Sequence, residues 1–168
     1  MALKALALNC TLKADESQPS STDAMIAVIK RAFADRDVEV TGTVRVAALD
    51  IRPGVTSDEG DGDAWPDLRA RILAHDILIF GGPIWMGQIG SVAKRVLERM
   101  DAFTSETDDQ GRMPSFGKVA IAAIVGNEDG AHWSSAQLFQ SLNDTGWTIP
   151  AGAACYWVGE AMGSTDFM

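Results

Sequence analysis

Ile77-Leu78-Ile79-Phe80-Gly81-Gly82-Pro83-Ile84-Trp85-Met86-Gly87 is the stretch from which the architecture can be read. Its first four residues are apolar without alternation, the pattern of a strand buried on both faces. Such a strand needs helices above and below it, and both flanks supply one. Upstream, a Trp65-Pro66 step opens a short helix, with Pro66 in its first turn and Leu68, Ile72 and Leu73 as its apolar stripe. Downstream, Ser91 is positioned to cap a helix carrying Val92, Val96, Leu97, Met100 and Phe103 on one side.

The same alternation continues outward. Leu3–Leu8 reads as a buried first strand rather than as a secretory leader, since a lysine interrupts it and no small-residue cleavage pattern follows. Thr22 and Asp23 predict the start of a helix running to about Asp35, with Met25, Ile26, Ile29 and Phe33 at helical spacing. Val38–Leu49 is β-rich, and Gly42 within it marks either a bulge or the true strand start. A Gly- and Asp-rich loop, Pro53–Asp63, leads into the Trp65 helix. Lys118–Val125 is a second continuous apolar strand, Ala131–Asn143 a helix and Thr148–Val158 the last strand. The order β-α-β-α-β-α-β-α-β predicts one α/β domain over residues 1–168. Its five-stranded parallel sheet is open, and right-handed crossovers place helices on both faces.

Composition narrows the function. The 168 residues are 46% hydrophobic and 22% charged, ordinary for a globular chain. No apolar run approaches the roughly 20 residues of a spanning helix, so no membrane partner is expected. A formal charge of −9 lacks the basic field that attracts nucleic acid. The acidic stretches Asp58 to Asp67 and Asp101 to Asp109 are read as solvated loops, with an acidic docking surface as the other reading. Cys10 and Cys155 lie far apart without a CxxC context, which fits a reduced cytoplasmic chain.

Several chemistries lack their residues. GxxxxGK[ST], GxGxxG and GxSxG are absent, which removes the P-loop, the dinucleotide fingerprint and the hydrolase elbow. His75 and His132 have no ligand-spaced partners, so no metal is predicted. A Cys-x5-Arg phosphatase loop starting at Cys10 needs arginine at position 16, where Glu16 stands. That carboxylate would repel a phosphate and raise the thiol pKa, so Cys10 is expected to be a small buried residue.

Ligands of open parallel sheets bind beyond the carboxyl ends of the strands, where the strand order reverses. Three connections fall there. Asn9–Thr22 offers the hydroxyls of Thr11, Ser20, Ser21 and Thr22, the cation of Lys13 and a helix N-terminus, a set suited to a phosphate or to a plain capped loop. In Gly81–Ser91, glycines permit close backbone approach to a planar ring, beside Pro83, Ile84, Trp85, Met86 and Gly87. Trp85 and Met86 fit equally a wall of that site and packing under a neighbouring loop. The third, Gly126-Asn127-Glu128-Asp129-Gly130-Ala131-His132, reads either as the opposite wall or as a turn with Asp129 as N-cap. His132 there is either a donor to ligand oxygen or an ordinary helix-start residue.

Asn9-Cys10-Thr11-Leu12-Lys13 with Ser20-Ser21-Thr22, and Pro83-Ile84-Trp85-Met86-Gly87 with Ser91 and Lys94, resemble the phosphate loop and the Pro-x-Tyr/Trp-x-Gly loop of the NADPH-dependent FMN reductase family. The resemblance spans nearly the whole chain. It implies a flavodoxin-like fold and an FMN-dependent oxidoreductase that passes a hydride from NADPH or NADH to flavin. Electrons would then reach a quinone, free flavin or similar small-molecule acceptor. A flavodoxin-type electron carrier and an FMN-binding module without turnover are the alternatives. By the same resemblance, Thr11, Lys13, Ser21 and Thr22 hold the FMN phosphate. Pro83 to Gly87 line the ring, and Gly126, Asn127, Glu128, Asp129 and Gly130 close its other side. No catalytic side chain is implied, because the flavin carries the chemistry.

The chain departs from the family pattern in its phosphate loop and lacks the residues of one branch. Lys13 stands where arginine is usual, the loop carries Asp15 and Glu16, and no cysteine cluster for an iron–sulfur branch lies between Cys10 and Cys155. The family's fold also ends in a closing helix, which the residues after Val158 are too few to supply. A trimmed chain or a second subunit over that sheet face, hence a homo-oligomer, is the expectation.

Overall fold

The computed structural model describes residues 2–168. Its strands are β1 (Leu3–Asn9), β2 (Val38–Arg45), β3 (Ile77–Trp85), β4 (Gln88–Ile89), β5 (Val119–Gly126) and β6 (Ala154–Val158). Its α-helices are α1 (Ser21–Ala34), α2 (Trp65–Leu73), α3 (Ser91–Met100) and α4 (Ala131–Asp144). Five strands form a parallel sheet in the order β2-β1-β3-β5-β6, and the short β4 folds back antiparallel on β3. The chain moves outward from β1 to β2 and then returns to the other side of β1 with β3. The order therefore reverses between β1 and β3.

Alternation along β1 sorts the two layers. Leu6 and Leu8 join Leu78, Phe80, Ala120, Ala122 and Ile124 beneath α2, α3 and α4, whose Leu68, Ile72, Val96, Met100, Leu138 and Leu142 complete that core. Ala5 and Ala7 face the opposite side with Ile79, Ala123 and Val125, and α1 packs there through Met25, Ile26 and Ile29. Each fully buried aliphatic side chain contributes about 1.5–3 kcal/mol against exposure. Beyond α1, Ile121, Cys155 and Trp157 stay half-buried.

Gly42 does mark a bulge. Val40 pairs with Ala5 and Gly42 with Leu6, so Thr41 is skipped in the ladder. Three caps sit elsewhere than the sequence predicted. Ser20, in extended backbone, caps α1 by accepting from the Asp23 N–H at 3.1 Å. Gly90 precedes α3, making Ser91 its first helical residue, and Gly130 rather than Asp129 precedes α4. The last strand starts only at Ala154, while Thr148 makes a lone parallel bridge to Val119.

The acidic loop before α2 is not simply solvated. Asp63 and Arg99 are both fully buried and form an ion pair at 2.7 Å. Arg99 also donates to the carbonyls of Thr56 at 3.0 Å and Arg52 at 2.9 Å, and its guanidinium lies 5.7 Å from the Trp65 ring. Burial alone would raise the Asp63 carboxyl. The Arg99 guanidinium and the N–H groups of Glu59, Trp65 and Arg52 outweigh it and hold the group far below the usual carboxylate range.

After β6, no helix follows among the described residues. The segment 159–168 turns back over the strand ends instead. The Gly159 N–H donates to the Gly126 carbonyl at 2.8 Å, the Asn127 amide donates to the Gly163 carbonyl at 3.1 Å, and the Phe167 ring lies 5.7 Å from Trp157.

Candidate functional site

A cavity of about 490 Å³ opens at the carboxyl ends of the strands, where the sheet order reverses. The loop after β1 and the start of α1 bring Thr11, Lys13, Ser21 and Thr22 to its wall. Within the first turn of α1, Ser20 takes the N–H of Asp23 through its hydroxyl and that of Ala24 through its carbonyl. The amides of Ser21 and Thr22 are the first-turn donors that a helix leaves for an anion. The Lys13 Nζ donates to the Pro19 carbonyl at 2.7 Å, closing the loop on itself and keeping its other N–H bonds.

Behind this loop lies a layer of buried polar groups. The Asn9 side-chain amide donates to Ser20 Oγ at 3.0 Å and to the Asp23 carboxylate at 2.6 Å, and its carbonyl oxygen accepts from the Thr11 N–H at 3.0 Å. Arg45, at the end of β2, pairs with Asp23 from the other side. Cys10 is fully buried beside them, and burial pushes its thiol far above the ordinary value. A thiol reagent is expected to find at most one of the two cysteines, Cys155, in the folded protein and both after denaturation. Rapid labelling of Cys10 in the folded chain would contradict this.

The second connection differs from its sequence reading. Pro83, Ile84 and Trp85 continue β3 rather than forming a loop: Pro83 pairs with Val125 of β5, while Ile84 opposes Ile89 and Trp85 opposes Gln88 of β4. Met86 and Gly87 are the two residues of the hairpin turn, with φ of +52° and +73°. Positive φ at both positions suits a tight hairpin. Pro83, Ile84, Trp85 and Met86 line the cavity, and Trp85 is 54% exposed toward it and solvent.

From the third connection, Gly126, Asn127 and Glu128 line the cavity. Gly87, Asp129, Gly130 and His132 lie outside it. Gly87 donates its N–H to Glu128 Oε1 at 3.3 Å, and a Cβ on Gly130 would sit 2.6 Å from the Gly87 carbonyl oxygen. These two glycines therefore clasp the second and third connections together behind the rim. Asp129 turns back to the Gly130 N–H at 2.7 Å. The His132 Nε2 is hydrogen-bonded to the Tyr156 hydroxyl at 3.0 Å, with the rings 5.1 Å apart and edge-on, which turns it toward β6.

Five lining residues were not singled out as binding residues in the sequence: Leu12, Val125, Trp157, Asp166 and Met168. Val125 and Trp157 follow from strand ends on the α1 face, once the register is known. Asp166 and Met168 carry no local signal, because only the return of residues 159–168 brings them there. Their arrival gives the wall two carboxylates, Glu128 and Asp166, against one cation, Lys13. Among the described residues, no group of three or more His, Cys, Asp or Glu is placed to hold a metal ion.

The sheet order and the position of this cavity define a flavodoxin-like α/β protein. The family model of the NADPH-dependent FMN reductases matches residues 3–162, and the chain belongs to that family. Two relatives show how far the likeness extends. A Mycobacterium bovis protein named divalent metal cation transporter MntH is 37% identical over 163 residues, 95% of this chain but 24% of that protein. The 8-demethyl-8-aminoriboflavin-5'-phosphate synthase of Streptomyces davaonensis is 34% identical over 170 residues, 96% of this chain and 65% of the synthase. The chain thus spans less than two thirds of either curated relative. No helix among its described residues is long and apolar enough to cross a membrane. The crystal structure of RosB with the bound intermediate 8-demethyl-8-formylriboflavin-5'-phosphate superposes with a TM-score of 0.88 at 31% identity, over 99% of this chain and 69% of that one.

Proposed function

We propose that the chain binds FMN in this cavity and acts as an NAD(P)H oxidoreductase that delivers electrons to a quinone, free flavin or similar small acceptor. The observation that carries the reading is one continuous cavity joining the N-terminus of α1 to the Pro83–Met86 wall. Its volume falls in the range of sites for ligands of this size. Thr11, Lys13, Ser21 and Thr22 would hold the phosphate through hydroxyls, one ammonium and two helix amides. Ile84, Trp85 and Met86 would shield one side of the ring, with Gly126, Asn127 and Glu128 facing it.

Bound flavin supplies hydride acceptance and onward transfer; the protein supplies orientation and exclusion of water. No side chain of the wall needs to act as acid or base. The test is an anaerobic titration: the FMN-loaded protein should bleach on adding NAD(P)H and recover with an acceptor. A chain that takes up no FMN overturns the reading. Trp85→Ala is expected to weaken FMN binding about tenfold, the loss of roughly 1–2 kcal/mol of apolar and stacking contact. Fluorescence titration measures it.

The RosB likeness favours a second reading, in which a riboflavin phosphate is the substrate altered at its ring. Mass spectrometry of the flavin after turnover separates the two: unchanged FMN supports the oxidoreductase, a modified ring the synthase.

A further inference from the structure

We infer that Arg45 is a positioning residue for phosphate selectivity, acting from behind the loop without touching the ligand; the inference rests on the FMN reading above. Arg45 ends β2 and is 6% exposed. Its Nη1 donates to the carbonyls of Lys13 at 3.2 Å, Asp15 at 3.2 Å and Gln18 at 3.4 Å, and its Nη2 to that of Gln18 at 3.3 Å. Nη2 also pairs with the Asp23 carboxylate. Both nitrogens are committed to the loop and to α1, and Arg45 is absent from the cavity wall.

Two consequences follow for an anion in the cavity. Three carbonyl oxygens of the loop are drawn inward onto one cation, so their negative ends do not confront the phosphate. Asp23 sits in the first turn of α1, where helix dipole and free amides would otherwise attract an anion. Its side chain is 38% exposed, and an unpaired carboxylate there would oppose the bound phosphate. Arg45 cancels that charge, while Asn9 and Ser20 fix the carboxylate's direction through hydrogen bonds at 2.6 and 3.1 Å. A planar guanidinium meets the carbonyls and the carboxylate together, which a lysine ammonium on the same stem does not.

This arrangement makes a specific demand on ligands that differ only in the phosphate. FMN and riboflavin share the ring, so Arg45 should matter for one and not the other. In Arg45→Met, the FMN dissociation constant is expected to rise by about tenfold or more, through one lost positive charge near a dianion. The riboflavin constant should stay within about threefold. Arg45→Lys should fall between the two, keeping charge without the fork.

Asp23→Asn probes the same idea from the other side and leaves the buried arginine in place. It should tighten FMN several-fold at constant riboflavin affinity, since Arg45 is then no longer neutralised. Equal weakening of both flavins in Arg45→Met would overturn the inference, as would no weakening of either. If Arg45→Met does not fold, Asp23→Asn decides alone, and an unchanged FMN-to-riboflavin ratio overturns it. A wild-type chain that binds riboflavin as tightly as FMN refutes the phosphate reading itself, which keeps the two failures distinct.

Discussion

Replacing Arg99 by methionine is expected to lower the stability of the fold by about 3–5 kcal/mol, as breaking a buried ion pair from one side does. For a chain of this size that is a fall of roughly 6–20 °C in thermal midpoint. Asp63 would be left without its partner in full burial, and the carbonyls of Arg52 and Thr56 would lose their donor. The loop between β2 and α2 is tied to α3 through these contacts, so its release should also bare Trp65. Adding Asp63→Leu to Arg99→Met should recover only a small part of the loss, because the N–H groups of Arg52, Glu59 and Trp65 then lose their acceptor as well.

The pH dependence has a defined sign. Asp63 titrates far lower in the folded chain than in the unfolded one, so its contribution is present above about pH 4, the unfolded value. It is lost as pH falls through the carboxylate range toward the depressed folded value. Urea midpoints should therefore separate wild type from Arg99→Met most widely at neutral pH, with the gap closing below about pH 4. A variant within about 1 kcal/mol of wild type at pH 7 would refute the ion pair's role.

Gly130→Ala is the second large effect, and Gly87→Ala is its control. Gly130 has φ +121°, and a Cβ on it would meet the Gly87 carbonyl oxygen at 2.6 Å, a backbone atom with no rotamer to yield. The expected loss is about 1–3 kcal/mol, with the hairpin tip pushed away from α4. Flavin binding should weaken in step, since the Gly87 N–H and Glu128 hold the two walls together. Gly87 also has positive φ, but a Cβ there meets nothing within 4 Å. Gly87→Ala should therefore cost only the conformational term, about 1 kcal/mol, and spare the cavity. Denaturant titration and FMN affinity read both variants; equal effects would show that the close approach carries no weight.

The parallel sheet was legible because Ile77–Phe80 and the stretch following Lys118 are apolar without alternation, and long crossovers permit few other arrangements. Lys13, Ser21 and Thr22 were legible as the residue types an anion would need, and they do reach one wall of the cavity. What escaped depends on three-dimensional proximity. Pro83-Ile84-Trp85 carries turn-like glycines on both sides, yet Pro83 pairs with β5 and the other two with a two-residue β4. Asp63 looked like one more acid in a solvated run because its partner, Arg99, is 36 residues away. Arg45 lay outside every motif, and its significance appears only when β2 ends beneath the loop after β1. His132 shows the converse, a promising residue type turned away by a neighbour on β6.

The return of residues 159–168 has a practical side. Met168 and Asp166 stand on the cavity wall, while Leu3 begins β1 at the opposite end of the strands. A purification handle or fluorescent fusion joined after Met168 would leave from the rim of the cavity and compete with anything entering it. The same handle placed before Leu3 would emerge at the far end of the sheet, making the amino terminus the side from which to immobilise the chain for ligand titrations.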